Sequence, residues 1–129
     1  MFRGIIVGTD GSTAAARAVR HAADMARVAR AELYLVRAYR IGNHDDAERQ
    51  EDVERDLHHD VVSLAGDGVN AEAYARVGHA ADVVIDVARW KEADLIVVGN
   101  HSMHGVRRIL GSVANSVTHH APCSVLLVP

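Results

Sequence analysis

Residues 4–12 read GIIVGTDGS, and this stretch decides the fold of the 129-residue chain. Its first half is a short apolar run bounded by glycines, which is typical of a strand buried on both faces. Residues 10–12 (DGS) then supply turn chemistry and a helix cap. From Ala15 to Ala29, small apolar residues recur on one helical stripe. The stretch therefore predicts a strand, a turn and a helix.

The same unit recurs along the rest of the chain, so that five strands alternate with four helices. The strands are predicted at residues 4–9, 33–39, 70–77, 94–98 and 124–128. A polar connector is expected near residues 41–46, and a longer loop at residues 99–110. The third strand alternates small apolar with polar residues, which favours a half-exposed edge position. The pattern predicts an α/β fold with an open five-stranded parallel sheet, order 3-2-1-4-5, and helices on both faces.

Length and composition indicate a single domain spanning residues 1–129. Hydrophobic residues make up 49% and charged residues 24%, which is ordinary globular composition. The formal net charge of −3 and the few aromatic residues argue against a nucleic-acid partner. The N-terminal apolar run is too short for a signal peptide, no run reaches membrane-spanning length, and Cys123 has no second cysteine to pair with. We therefore expect a cytoplasmic protein with no membrane partner.

A ligand site is expected outside the carboxyl ends of the strands, where the strand order reverses. On the predicted order this point lies between strands one and four, so the loops at Asp10 and Gly99 face each other. The last helix opens at residues 111–113 (GSV), whose free amides, hydroxyl group and dipole suit an anion. Taken alone, Asp10 is better explained as a turn residue that bonds backbone amides, and a glycine-rich loop is as often a simple turn. Their convergence favours an anion site.

Three segments resemble the universal stress protein family, and the likeness extends over essentially the whole chain. They are residues 6–12 (IVGTDGS), residues 93–99 (ADLIVVG), and residues 110–113 (LGSV) leading to residues 120–128 (HAPCSVLLV). The resemblance implies a single domain of the adenine-nucleotide alpha hydrolase-like class that forms homodimers. One branch of the family binds ATP, and another branch lacks the ATP-binding pattern.

The ATP-binding pattern of that branch is Gly, two residues, Gly, nine residues, Gly and then Ser or Thr. Gly99 matches the first glycine, and residues 111–112 (GS) match the final pair. The second glycine position holds Ser102, and only eight residues, 103–110, follow it. The Cβ of Ser102 could obstruct the approach of backbone to phosphate, or its hydroxyl could supply a new donor, while Gly105 could absorb the missing residue. These alternatives stay open at this point.

The resemblance implies an adenine-nucleotide site, with ATP as the cofactor and Mg²⁺ held mainly by its phosphates. Asp10 would face ribose or adenine, the backbone around Ala38 and Val98 would contact adenine, and residues 111–113 would hold phosphates. The complete set of predicted cofactor-binding residues is Thr9, Asp10, Ala38, Val98, Gly99, His101, Ser102, Gly111, Ser112 and Val113. No catalytic or metal-ligating residue is predicted.

Other signals in the sequence are weaker. Nine histidines invite a metal site, but structural zinc usually takes several thiolates and the chain has one cysteine. Arg107 and Arg108 either neutralise a triphosphate or solvate a surface turn. Ser112 has no evident base beside it, and no paired carboxylates flank the site, so slow hydrolysis of ATP is the most that we expect.

The final strand, residues 124–128, is a sheet edge on this topology. Pairing with the same strand of a second copy would cover that edge and predicts a homodimer. Three functions remain open. The favoured one is an ATP-binding, nucleotide-responsive stress or regulatory module. The others are a dimeric scaffold that binds no nucleotide, and a nucleotide hydrolase or transferase, which needs a positioned base.

Overall fold

The computed structural model describes residues 1–40, 44–100 and 110–129, with the backbone alone described for residues 44–49. Strands and helices alternate along these ranges, as predicted. They are β1 (Gly4–Gly8), α1 (Thr13–Ala29), β2 (Glu32–Tyr39), α2 (His44–Gly66), β3 (Ala71–Val77), α3 (Ala80–Trp90), β4 (Leu95–Gly99), α4 (Ser112–His120) and β5 (Ser124–Val128).

The strands form one parallel sheet in the order β3-β2-β1-β4-β5, which confirms the predicted order. β1 lies at the centre, where Ile6 is paired with Tyr34 of β2 on one side and with Ile96 of β4 on the other. Because all the strands run in the same direction, their carboxyl ends lie together at one end of the sheet. The loops that follow β1, β2 and β4 are therefore neighbours.

Helices cover both faces of the sheet, and each face has its own apolar layer. α1 and α2 cover one face, where Ile5 and Leu35 lie in one buried cluster with the alanines of α1. α3 and α4 cover the other face, where Ile6 and Ile96 lie with Val117. Strands covered on both faces read as unbroken apolar runs, which is why the sequence identified them. Within the described ranges, no helix is both long enough and apolar enough to cross a membrane.

The turn between β1 and α1 forms as its sequence predicts. The Asp10 carboxylate accepts a hydrogen bond from the Ser12 amide (2.9 Å), and the Ser12 hydroxyl caps α1 by accepting from the Ala15 amide (3.1 Å). Gly11 lies between them at φ +80°, and a Cβ on it would lie 3.1 Å from Arg37 Nη1. Position 11 therefore favours glycine, because L side chains rarely adopt this left-handed backbone.

Several predicted boundaries differ from the structure. β2 begins at Glu32 rather than at residue 33, β3 begins at Ala71 rather than at residue 70, and β4 ends at Gly99 rather than at residue 98. The predicted end of the connector near residues 41–46 is wrong, because α2 already begins at His44. Residues 44–50 contain no Gly or Pro and are rich in strong helix formers, so the helix extends through this polar segment. β1 ends at Gly8 rather than Thr9. β4 begins after Asp94, whose carboxylate instead accepts hydrogen bonds from the amides of Arg3 and Gly4.

The substitution Ile96→Ala tests the core assignment, since Ile96 is 0% exposed in the layer under α3 and α4. We expect it to lower the free energy of unfolding by about 2–5 kcal/mol, because buried contacts are lost and a cavity remains. Urea denaturation measures this change. Val28→Ala is the control, because Val28 is 77% exposed and its loss should cost less than about 0.5 kcal/mol. Equal losses in both variants would contradict the assignment.

Candidate functional site

A cavity opens at the carboxyl ends of β1, β2 and β4, on the face covered by α3 and α4. Its volume is about 140 Å³, and it is lined by Gly8, Thr9, Asp10, Ala15, Val36, Ala38, Ala80, Val84, Val98, Gly99 and Val113. The cavity lies between β1 and β4, where the strand order reverses and where the sequence predicts a site.

The walls of the cavity are apolar and continue the core. Val36 and Val98 are 1% and 3% exposed and belong to the same buried cluster as Val84 of α3. Gly8 brings α3 close to the end of β1, since a Cβ on Gly8 would lie 3.2 Å from Val84 Cγ2. Gly99 likewise brings α1 close to the end of β4, since a Cβ added to Gly99 would lie 3.1 Å from the carbonyl oxygen of Ala14. The two glycines at the strand ends therefore set the width of this region.

Thr9 and Asp10 form the polar side of the cavity. The Thr9 amide donates to the Val36 carbonyl (3.0 Å), which ties the end of β1 to β2. Asp10 is held by the turn described above, and it is the one titratable side chain among the described residues that line the cavity. A single carboxylate suits hydrogen bonding to hydroxyl or amino groups rather than paired acid and base catalysis.

Asn100 joins β4, α4 and β5 at one point. Its side chain is 1% exposed, and its Oδ1 accepts a hydrogen bond from the Gly111 amide (2.8 Å). The backbone N–H of Asn100 donates to the Val128 carbonyl (2.8 Å). The amide of Gly111 is therefore engaged, although the sequence predicts it to be one of the free donors at this helix start. The first donor inside α4 is the Asn115 amide, which bonds the Gly111 carbonyl, so the amides of residues 112–114 have no acceptor within the helix.

The structure brings most of the described predicted site residues together. Thr9, Asp10, Ala38, Val98, Gly99 and Val113 line the one cavity. Gly111 and Ser112 form the start of α4 immediately before Val113 and do not belong to its lining. His101 and Ser102 lie outside the described residues, as do His104, Gly105, Arg107 and Arg108.

Some lining residues were missed by the sequence analysis, namely Gly8, Ala15, Val36, Ala80 and Val84, as was Asn100 beside them. Ala38 indicates Val36 as a second lining residue, because residues two apart on a strand lie on the same face of the sheet. Ala80 and Val84 are one helical turn apart at the start of α3, but only the packing of that helix against β1 brings them to the cavity. The role of Asn100 depends on a contact with a residue far along the chain and has no local signal.

A second, larger cavity of about 400 Å³ lies on the opposite face of the sheet, between α1 and α2. It shares Thr9 with the first cavity, and its lining includes Arg20, Asp60 and Asp67. Burial raises the pKa of the Asp60 carboxyl above its ordinary value, because it disfavours the charged form. Two acidic side chains facing one guanidinium disfavour an anionic ligand. The cavity between β1 and β4 is therefore the better candidate for a nucleotide.

Cys123 precedes β5 and is partly buried. Burial, reinforced by the nearby Asp94 carboxylate, raises the pKa of its thiol. A raised pKa leaves less thiolate at neutral pH, and the thiolate is the nucleophilic form. Cys123 is thus poorly suited to act as a nucleophile.

The comparisons with known proteins agree on the family. The model of the universal stress protein family matches residues 1–129. A universal stress protein of Mycobacterium tuberculosis is 34% identical over 143 aligned positions, which cover 98% of this chain and 96% of that protein. A solved universal stress protein in complex with cAMP has a TM-score of 0.83 and 29% identity, covering 99% and 97% of the two chains. One from Archaeoglobus fulgidus in complex with dAMP has a TM-score of 0.79 and 26% identity, covering 98% of each. The predicted family and fold class are confirmed.

The substitution Asn100→Ala tests the junction of β4, α4 and β5. We expect it to lower the free energy of unfolding by about 1–3 kcal/mol, because the Gly111 amide loses the acceptor of a partly buried hydrogen bond. Urea denaturation measures the loss. Asn115→Ala is the matched control, since Asn115 is exposed on α4 and alanine is the stronger helix former. A loss below about 0.5 kcal/mol for Asn100→Ala would contradict this role.

Proposed function

This chain belongs to the universal stress protein family, and we propose that it is an ATP-binding, nucleotide-responsive module that acts as a homodimer. The observation that carries the proposal is the single cavity lined by Thr9, Asp10, Ala38, Val98, Gly99 and Val113. These residues come from separate parts of the chain, and the resemblance implies that Asp10, Ala38, Val98 and Val113 contact one nucleotide. Adenine nucleotides in two structural relatives, cAMP in one and dAMP in the other, support the same ligand class.

The base of the nucleotide is the part that fits inside the cavity. A volume of about 140 Å³ is small beside the range of about 300–1,000 Å³ for pockets that bury a whole drug-sized ligand. The apolar walls from Val36, Ala38 and Val98 suit a flat aromatic ring, and the strand ends supply backbone groups for its polar edge. The ribose and the phosphates must therefore extend outward, along the turn after β1 and the start of α4.

Asp10 is placed to bind the ribose or the amino group of adenine. Its Oδ1 accepts from the Ser12 amide, so the carboxylate is held in position before any ligand arrives. A carboxylate has about four acceptor positions on its two oxygens, so a hydrogen bond to the turn does not exclude one to a ligand hydroxyl. The turn role and the binding role of Asp10 are therefore compatible.

The start of α4 is placed to bind phosphate. The amides of residues 112–114 and the hydroxyl of Ser112 are donors at the positive end of the helix dipole. The Gly111 amide is satisfied by Asn100, so it contributes by fixing the helix start and not by contacting the anion. Mg²⁺ would arrive with ATP and neutralise part of the phosphate charge, held mainly by phosphate and water oxygens.

The alternative functions make different demands on this cavity. A scaffold that binds no nucleotide needs only the fold. A hydrolase or transferase needs a base near the phosphates, and the described lining has no second titratable group besides Asp10. The unpaired Cys123 fits a reducing compartment, and we propose that the whole chain works in the cytoplasm as one domain.

Removing the Asp10 carboxylate is expected to weaken ATP binding. Asp10→Ala should raise the dissociation constant about tenfold or more, because a hydrogen bond to a charged group contributes about 1.5–3 kcal/mol. Asp10→Asn keeps an acceptor oxygen and should lose less. Calorimetric titration with ATP, ADP and AMP in the presence of Mg²⁺ measures these affinities. Asp86→Ala is the control, since Asp86 is an exposed acid of α3 outside the cavity lining.

Thermal unfolding with Mg-ATP separates the three functions. Ligand at a hundred times its dissociation constant adds about 2.7 kcal/mol to the stability and raises the melting temperature. No shift at millimolar ATP would favour the scaffold. Steady release of phosphate that Ser112→Ala abolishes would instead favour the enzyme. Unchanged affinity in Asp10→Ala would remove Asp10 from the site.

The outer edge of β5 is the proposed homodimer contact. Asn100 bonds the Val128 carbonyl in the parallel ladder, so the even-numbered residues of β5 turn their backbone groups toward β4. Val125 and Leu127 therefore turn their N–H and C=O groups outward, where a second copy can pair with them. The described sheet ends at β5, which leaves this edge without a strand beyond it.

Replacing Leu127 with proline is expected to break this dimer. Leu127→Pro removes an outward N–H and leaves the ladder to β4 intact, because that amide does not point toward β4. Sedimentation equilibrium at micromolar concentration should give the mass of a dimer for the wild type and of a monomer for this variant. Leu127→Ala is the matched control: it removes the same side chain but keeps the N–H, and should stay dimeric. A monomeric wild type would overturn the proposal.

A further inference from the structure

The outer edge of β3 carries backbone groups that face away from the sheet. The Leu33 amide donates to the Asn70 carbonyl and the Gly78 amide to the Tyr39 carbonyl, each at 3.0 Å. In this parallel register the even-numbered residues of β3 turn their N–H and C=O groups toward β2. The odd-numbered residues, Ala71, Ala73, Ala75 and Val77, therefore turn theirs outward. β3 is the last strand on this side of the described sheet.

Opposite charges flank Tyr74 on the face of β3 that looks toward α3. Glu72 Oε2 accepts a hydrogen bond from the Tyr74 hydroxyl and lies 3.5 Å from Lys91 Nζ, and these contacts lower the pKa of Glu72. The guanidinium of Arg76 lies 5.1 Å from the centre of the Tyr74 ring and 5.7 Å from that of Trp90. Glu72 therefore stays ionised, and Arg76 is held over the rings beside it.

Arg76 has no ion pair with a carboxylate among the described residues. Its guanidinium makes one long hydrogen bond, of 3.4 Å, to the Ala75 carbonyl. That carbonyl is one of the outward-facing groups of the edge. The positive charge at this edge is thus available to a carboxylate brought in from outside.

We propose that the edge of β3 is a second self-association surface, on which β3 of another copy pairs antiparallel about a two-fold axis at Tyr74. This contact is separate from the proposed β5 dimer and would join such dimers through the opposite side of the sheet.

Charge complementarity selects this register. An antiparallel pair centred on Tyr74 places Glu72 opposite Arg76 of the partner subunit, and the symmetry repeats the pair on the other side. Ala73 lies opposite the partner's Ala75, and both have outward backbone groups, so they form a hydrogen-bonded pair. Glu72 and the partner's Arg76 then form a non-hydrogen-bonded pair, whose Cα atoms come within about 4.5 Å and whose side chains are closest.

The neighbouring symmetric registers do not pair these charges. A two-fold axis at Ala73 places Arg76 opposite the partner's Asn70 and Glu72 opposite the partner's Tyr74. An axis at Ala75 places Glu72 opposite the partner's Gly78. Of these three registers, only the one with its axis at Tyr74 places each charge opposite a charge of the other sign. The charges of β3 therefore complement those of a second β3 in this register.

The edge is also sterically open and partly apolar. Three of the four outward-facing positions are alanines, whose short side chains leave the backbone accessible. Val77 and Trp90, near the end of the strand, are 50% and 58% exposed although both are large apolar residues. Charged residues often protect an edge strand from association, but here one charge of each sign makes the edge self-complementary.

Residue-resolved hydrogen exchange of the full chain tests the contact. Comparing low with high protein concentration, we expect the amides of Ala71, Ala73, Ala75 and Val77 to exchange at least tenfold more slowly at high concentration. The β5 dimer instead protects the amides of Val125 and Leu127. Hydrogen exchange at the two edges is measured on different residues, so failure of the β3 contact can be distinguished from failure of the β5 dimer. Edge amides of β3 that exchange equally fast at both concentrations would overturn the inference.

Charge reversal tests the register. Glu72→Arg and Arg76→Glu should each weaken association through β3 about tenfold or more, because two attractive pairs become repulsive. An equimolar mixture of the two variants restores opposite charges across the contact and should restore association, as should the double variant E72R/R76E. Sedimentation velocity and the β3 amide protection measure both effects.

Matched controls reverse charge elsewhere. Asp24→Arg and Arg27→Glu make the same changes in net charge on α1, at exposed positions, and should leave the association unchanged. The double variant E72R/R76E carries both substitutions but keeps opposite charges across the contact. If it associates, misfolding caused by either substitution cannot explain the weaker association of the single variants. Single variants that associate like the wild type, or a mixture and double variant that stay dissociated, would each overturn the pairing.

Discussion

The burial of β1 on both faces and its pairing along both edges constrain the whole structure. Ile5, Ile6 and Val7 are 0% exposed, and β2 and β4 flank the strand in parallel. Every helix must then cover one face or the other, and every parallel strand must end at the same side. The turn after β1 is thereby fixed in the middle of that side. The candidate site lies at this turn because the burial and pairing of β1 fix where the strand ends.

Much of the architecture could be predicted from the sequence, because a strand buried on both faces leaves a continuous apolar run. The order of strands followed from the alternating pattern of β3, whose residues are half exposed as an edge requires. The start of α2 could not be predicted in the same way. Polar residues 44–46 resemble a connector, but nothing in them stops a helix, and propensity decided the boundary.

The candidate site was predictable where local motifs form it and hidden where packing forms it. Asp10 and Gly99 stand at strand ends that the sequence marks directly, and both line the cavity. Ala80 and Val84 reach it only because Gly8 lets α3 approach the sheet. Asn100 makes the contact that places α4, and that contact joins two residues 11 positions apart in the sequence. Tertiary contacts of this kind leave no periodic or compositional trace.

The hydrogen bond from the Gly111 amide to Asn100 Oδ1 bears on how this chain tolerates insertions and deletions. A side chain, and not the number of residues in between, sets where α4 begins relative to β4. Residues can then be inserted or deleted between positions 101 and 109 while the helix start keeps its place. Residues 103–110 here are one fewer than the pattern of the ATP-binding branch has between its second and third glycines. The number of residues between Asn100 and Gly111 can therefore change without moving the start of α4 relative to β4.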